Sequence, residues 1–99
     1  MYARVSSVQL QPGRGDEGPR LWRERLLPRL KEQQGFKGLI LMRDQEAGRG
    51  MSITFWESAA AAQVLESGSF AEELRDATRP NLAGPPTIAG YEVLIHEDV

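Results

Sequence analysis

His96 is the one histidine of this 99-residue chain, and there is no cysteine. An imidazole titrates near neutrality, so His96 has the chemistry of a general base. Its place near the end of the sequence, where strands fray, predicts an exposed or interfacial ring instead. A second set of groups is Arg4, Ser6, Thr54, Trp56 and Glu92, the ligand-pocket candidates. Their guanidinium, hydroxyls and carboxylate could orient the polar atoms of a ligand, while the indole could stack on a flat ring. The blander readings are that Trp56, at a strand end, is core or interface, and that Arg4 and Glu92 form a cross-strand ion pair.

Other chemistries are poorly served. Without cysteine, disulfides, thiolate metal sites and cysteine nucleophiles are excluded. With one histidine, a metal would need a cluster made almost wholly of carboxylates. Arg43-Asp44-Gln45-Glu46 is a solvated turn, and its two carboxylates do not make a cation site. There is no GxGxxG, P-loop or HExxH. Arg14-Gly15-Asp16 spells an adhesion tripeptide, but Asp16 is better read as a helix cap and the match as coincidence. The formal net charge is −2 with both signs interspersed, which provides no footprint for nucleic acid or anionic membrane. The first ten residues lack the pattern of a signal peptide and no segment could span a bilayer, so a cytoplasmic protein is expected.

These side chains must be held by a small set of elements, and 99 residues suffice for one domain. Tyr2 to Leu10 reads as a first strand, stopped by Pro12-Gly13. A helix with an apolar stripe at residues 21, 22, 26, 27 and 30 should run from about Glu17 to Gln33, capped by Asp16 and bent near Glu24 by Pro28. Gly35 should take the left-handed conformation and turn Phe36 back towards Leu30. Leu39 to Met42 and Met51 to Trp56 form a hairpin around a polar tip. Ser58 caps an alanine-rich second helix. Ser69 and Glu72 have the spacing of a capping box for a third, stopped by Pro80. Thr87 to His96 alternates as a last strand.

The order β-α-β-β-α(α)-β predicts an α+β, ferredoxin-like fold: a four-stranded antiparallel sheet with helices on one face. Val5, Leu39, Leu41, Ile53, Phe55, Val93 and Ile95 are expected under the helices. The opposite set, Tyr2, Arg4, Ser6, Val8, Ile40, Met42, Ser52, Thr54, Trp56, Glu92 and Leu94, is too apolar to face water over a whole sheet. A homodimer packed face to face through that set is therefore expected.

The order and spacing of several short motifs resemble the antibiotic-biosynthesis-monooxygenase (ABM) family of dimeric α+β barrels along nearly the whole chain. They are the helix-internal Pro28, Gly35-Phe36-x-Gly38 entering the second strand, Trp56-x-Ser58 leaving the third, and Ser67-x-x-Phe70 after the second helix. The resemblance implies a dimer, and a cofactor-independent monooxygenase acting on an aromatic or quinol-type compound. A non-catalytic dimeric module that binds a small ligand or serves regulation or assembly is the alternative. Haem-degrading members use an asparagine on the first strand, a tryptophan on the second helix and a haem-ligating histidine. The matching places here fall near Ser7, Val64 and Leu74, so neither haem nor any other cofactor or metal is expected.

Overall fold

A computed structural model describes residues 1–14 and 16–99. Strand β1 (Tyr2–Gln9) leads into a helical rod of three pieces: α1 (Glu17–Leu21), a π-helical turn (Trp22–Leu26) and α2 (Leu27–Lys31). The hairpin β2 (Phe36–Asp44) and β3 (Arg49–Trp56) follows. Next come α3 (Ala59–Ala62) with a 3-10 continuation (Gln63–Leu65), α4 (Ser69–Thr78), a 3-10 turn (Arg79–Asn81) and β4 (Thr87–Glu92). The strands lie in the order β2-β3-β1-β4 with every neighbour antiparallel. This is the ferredoxin-like α+β fold expected from the element order.

Pro28 interrupts the α-helical pattern of the first helix. A proline inside a helix lacks the amide donor and its ring crowds the carbonyl one turn back. Here the backbone widens around it: the Leu27 N–H donates to the Trp22 carbonyl, five residues back. A π turn of this kind supplies the room that an α-helical turn lacks. The rod ends at Lys31, two residues before the expected boundary.

Gly35 has φ of +84°, as its place after the helix predicts. It is also pressed against α3: a Cβ there would lie 2.7 Å from the Ala61 Cβ. Its carbonyl accepts from the Glu57 N–H at 2.7 Å, tying the start of β2 to the end of β3. Phe36 then packs on the core that contains Leu30 and meets Trp56 edge to face, with centroids 5.4 Å apart.

The caps divide. The Ser58 hydroxyl accepts from the Ala61 N–H at 3.1 Å, as expected. Asp16 occupies the cap position of α1 but makes no side-chain cap bond; its carboxylate lies 3.7 Å from Arg43 instead. Ser69 does not cap α4 either: it is the first helical residue, and Gly68, at φ +99°, takes the cap position. The adhesion tripeptide includes Gly15, outside the described residues.

The faces of the sheet are a correction to the sequence-based assignment. Trp56 is fully buried in a cluster with Leu30, Ala62, Leu65 and Phe70, and Tyr2 packs against it. The register pairs Tyr2 with Trp56, Arg4 with Thr54, Ser6 with Ser52 and Val8 with Gly50, so all of these face the helices. Val5, Ile53 and Phe55 belong to the uncovered face, with Ile40 and Met42. Leu39 and Leu41 face the helices as expected. They share that face with Phe36 only because a bulge between Phe36 and Gly38 shifts the alternation by one residue. The helix-covered side carries the buried Trp56 cluster together with polar Arg4, Ser6 and Ser52, while Val5, Ile40, Met42, Ile53 and Phe55 stay on the open face.

β4 ends at Glu92, four residues short of the expected His96. The Val93 N–H still donates to the Met1 carbonyl at 2.9 Å, but Leu94 and Ile95 are exposed. His96 turns onto the open face and stacks on Phe55, with centroids 5.6 Å apart and planes within 3°. On the helix side, the Tyr2 ring lies over Gly90 of β4 and occupies the space a side chain at position 90 would need.

Candidate functional site

Between the sheet and the helical layer lies a half-open cavity of about 1500 Å³. Its floor is the polar stretch of the helix-side sheet face: Arg4 and Ser6 of β1 and Ser52 of β3, bordered by Leu39 and Leu41 of β2. Trp22 and Leu27 of the first helical rod and Leu74 and Thr78 of α4 form its walls. Sheet alternation explains the floor. Residues 4 and 6 fall on one face of β1, and the register sets Ser52 beside Ser6.

Arg4 is the most enclosed charge of the site. Its side chain is 10% exposed and its Nε donates to Glu66 Oε1 at 2.9 Å, so Glu66, in the turn before α4, holds the guanidinium over the floor. The expected pair with Glu92 is absent, because the register sets Arg4 opposite Gly90 and Glu92 opposite Tyr2. At one end of the cavity Asn81 is almost fully buried. Its side-chain oxygen accepts from Arg14 Nε at 3.1 Å, and its main-chain carbonyl accepts from the Gln11 N–H at 2.9 Å.

The roof is tied together from outside. Arg29 of α2 donates from Nη2 to Glu73 of α4 at 2.9 Å and from Nη1 to Glu32 at 3.0 Å. Its guanidinium carbon lies 5.2 Å from the centroid of the Phe70 ring. Hydrogen bonding to Glu73, then to Glu32, raises the Arg29 pKa further above its ordinary value, so this clasp stays charged throughout the physiological range.

The sequence-derived pocket candidates separate. Arg4 and Ser6 line the cavity. Thr54 and Trp56 lie on the same sheet face but are buried core, with the Trp56 Nε1–H donating to Thr54 Oγ1 at 2.9 Å. Glu92 is exposed at the end of β4, and His96 is on the opposite face of the sheet. Of the positions matching the family's catalytic residues, Leu74 lines the cavity, Val64 packs against the core and Ser7 falls on the open face. Ser52, Thr78 and Asn81 line the site without having been singled out. Ser52 could have been found from its register with Ser6. Asn81 carries no local signal, since the loop that brings it there is set by tertiary packing. Among the described residues, no group of three or more His, Cys, Asp or Glu could hold a metal ion. Among the described residues, no helix is long and apolar enough to cross a membrane.

A ferredoxin-like sheet with one uncovered apolar face and a partly polar cavity beneath its helices defines a small-molecule α+β protein. The sequence profile of the antibiotic biosynthesis monooxygenase family matches residues 1–72, and the chain belongs to that family. A candidate antibiotic biosynthesis monooxygenase from Bordetella bronchiseptica is 26% identical; the match covers 95% of this chain and 97% of that one, with a TM-score of 0.75. The monooxygenase from the gene ActVA-Orf6 of Streptomyces coelicolor, solved with nanaomycin D, shares the fold at a TM-score of 0.78 and 20% identity; 98% of this chain and 92% of that chain are covered. Two uncharacterised Mycobacterium tuberculosis proteins, Rv2558 and Rv2557, are each 28% identical over 99 residues. The match takes in 99% of this chain but only 41% and 43% of those proteins, so the chain spans about two fifths of their length.

Proposed function

We propose that residues 1–99 act as one domain that binds an aromatic or quinol-type compound in the cavity and oxygenates it without a cofactor. The observation that carries this reading is the cavity itself. It exceeds the roughly 300–1,000 Å³ of ordinary small-molecule sites and brings the Arg4 guanidinium and the Ser6 and Ser52 hydroxyls together on a floor bordered by Leu39 and Leu41. Family membership and the ligand-bound relative support the same direction.

The chemistry such a site can contribute is electrostatic. A phenol or anthrone becomes reactive towards oxygen when it is deprotonated. Arg4, a permanent cation held in a largely enclosed position, favours the resulting oxyanion. The hydroxyls of Ser6 and Ser52 would orient the substrate, and Leu39, Leu41 and Leu74 would hold its rings. For an anthrone the atoms balance without a reductant: the methylene carbon loses two hydrogens and gains one oxygen of O2 as a carbonyl, and the other oxygen leaves as water.

One observation favours a second reading, a non-catalytic ligand-binding module. The lining contains a single carboxylate, Glu66, which is engaged by Arg4, and His96 is on the other side of the sheet. In both readings the open face of Val5, Ile40, Met42, Ile53 and Phe55 is covered by a second copy, giving a homodimer.

Measuring oxygen uptake and thermal shift together, with anthrones and quinols as probes, separates the readings. Oxygen consumed in step with anthraquinone formed from an anthrone, or with a hydroxylated quinone formed from a quinol, supports the monooxygenase. A raised melting midpoint with no oxygen uptake supports the binding module. Neither effect with any probe would sink the cavity as a site for such compounds.

A further inference from the structure

The charge of the chain is distributed unevenly about the cavity. Twelve basic and fourteen acidic residues give the whole chain a formal charge of −2. Six arginines and two lysines line the cavity, against one carboxylate, Glu66. Eight of the twelve cations and one of the fourteen anions therefore stand at a site made by less than half of the residues. An even mixture would place slightly more carboxylates there than cations.

Part of this charge is compensated. Arg4 pairs with Glu66, Arg14 with Glu17 at 2.6 Å, Arg43 with Asp16 at 3.7 Å and Arg79 with Asp76 at 3.0 Å. Among the described residues, Arg23, Lys31, Lys37 and Arg75 have no salt-bridge partner. Arg23 of the first helical rod and Arg75 of α4 come from the two helical walls, and both are exposed. A cleft lined by one sign of charge with low-dielectric walls focuses its field and concentrates ions of the opposite sign. Guanidinium groups also match carboxylate, sulfonate and phosphate geometry through paired N–H donors.

We infer that the cavity selects an anionic ligand, an aromatic or otherwise flat apolar body bearing at least one acidic group, with that group held at the mouth by Arg23 and Arg75. The apolar body lies deeper, against Trp22, Leu39, Leu41 and Leu74. This rests on the reading of the cavity as a small-molecule site and adds the charge of what enters it.

Two dyes with the same ring system provide the test: 8-anilinonaphthalene-1-sulfonate, which is anionic, and N-phenyl-1-naphthylamine, which is neutral. Fluorescence titration of the full chain should show the sulfonate binding at least about tenfold more tightly than the neutral dye, with the preference shrinking in high salt. The double variant Arg23→Gln/Arg75→Gln should lose most of that preference while binding the neutral dye as before, and Arg23→Lys/Arg75→Lys should keep it. Both arginines are exposed, and an unchanged melting midpoint confirms that each variant is folded. Equal affinity for the two dyes, or a sulfonate affinity that ignores the glutamine variant, would overturn anion selection and leave the ligand cavity standing. Failure of both dyes to bind would instead remove the cavity reading and this inference with it.

Discussion

The indole N–H of Trp56 donates to the hydroxyl of Thr54 at 2.9 Å, and both side chains are buried. Two residues apart on one strand, they lie on the same face. The bond gives the largest fully buried side chain a partner for its only polar atom. Thr54→Val keeps the shape and removes the acceptor, leaving a donor in the core. We expect a loss of about 1–3 kcal/mol, read as a lower urea midpoint with an unchanged slope. An unchanged midpoint would mean that the indole has another partner in solution.

Gly35→Ala should be costly for two separable reasons. The left-handed backbone alone costs an L-residue about 1–2 kcal/mol, and the new methyl would sit 2.7 Å from the Ala61 Cβ. Adding Ala61→Gly should relieve the second penalty and leave the first. Thermal unfolding of the two single variants and the double variant measures the coupling. Strict additivity would show that α3 moves away freely.

Met42 stands on the open face and is 44% exposed in the single chain. In the proposed homodimer, Met42→Glu would place a lone charge in an apolar contact, a change that costs several kcal/mol when no partner is available. Sedimentation should show a dimer for the parent chain and a monomer, or an unfolded chain, for the variant. A parent chain that sediments as a monomer at micromolar concentration would remove the dimer.

Asp44, in the hairpin, accepts from the Ala47 N–H at 3.1 Å and from Arg49 at 3.2 Å. The Ala47 amide, with a further contribution from Arg49, holds its pKa below the usual aspartate range. The unfolded chain then binds the proton more readily than the folded one. The stabilisation is present above the ordinary aspartate value and is lost as pH falls through the lowered folded value. The stability advantage of the parent over Asp44→Asn should therefore be flat near neutrality and shrink below about pH 4. An advantage that does not change with pH would show that the carboxylate charge is irrelevant to the turn.

The element order, the left-handed Gly35 and the Ser58 cap were legible because each depends on neighbours in sequence. The sheet faces were not. Both sides of the sheet are partly apolar, and alternation groups residues without saying which group the helices cover. The helix-covered side joins the buried Trp56 to a polar-floored cavity, a combination that alternation of aliphatic residues does not single out. Trp56 was hard to place for the same reason: its burial depends on Leu30, Leu65 and Phe70, none of them near it in sequence. In the site, Arg4 and Ser6 were recoverable from one strand. The Arg4–Glu66 pair spans 62 residues and follows only from the packed fold.

The ring of Tyr2 resting over Gly90 has a consequence for how this sequence can drift over generations. Any larger residue at 90 collides with the tyrosine, and a smaller residue at 2 uncovers backbone beside the core. Neither change is easily accepted alone, whereas a shortened position 2 opens the space that a side chain at 90 requires. Related sequences should show the two sites changing together, with a bulky group at one and a small group at the other.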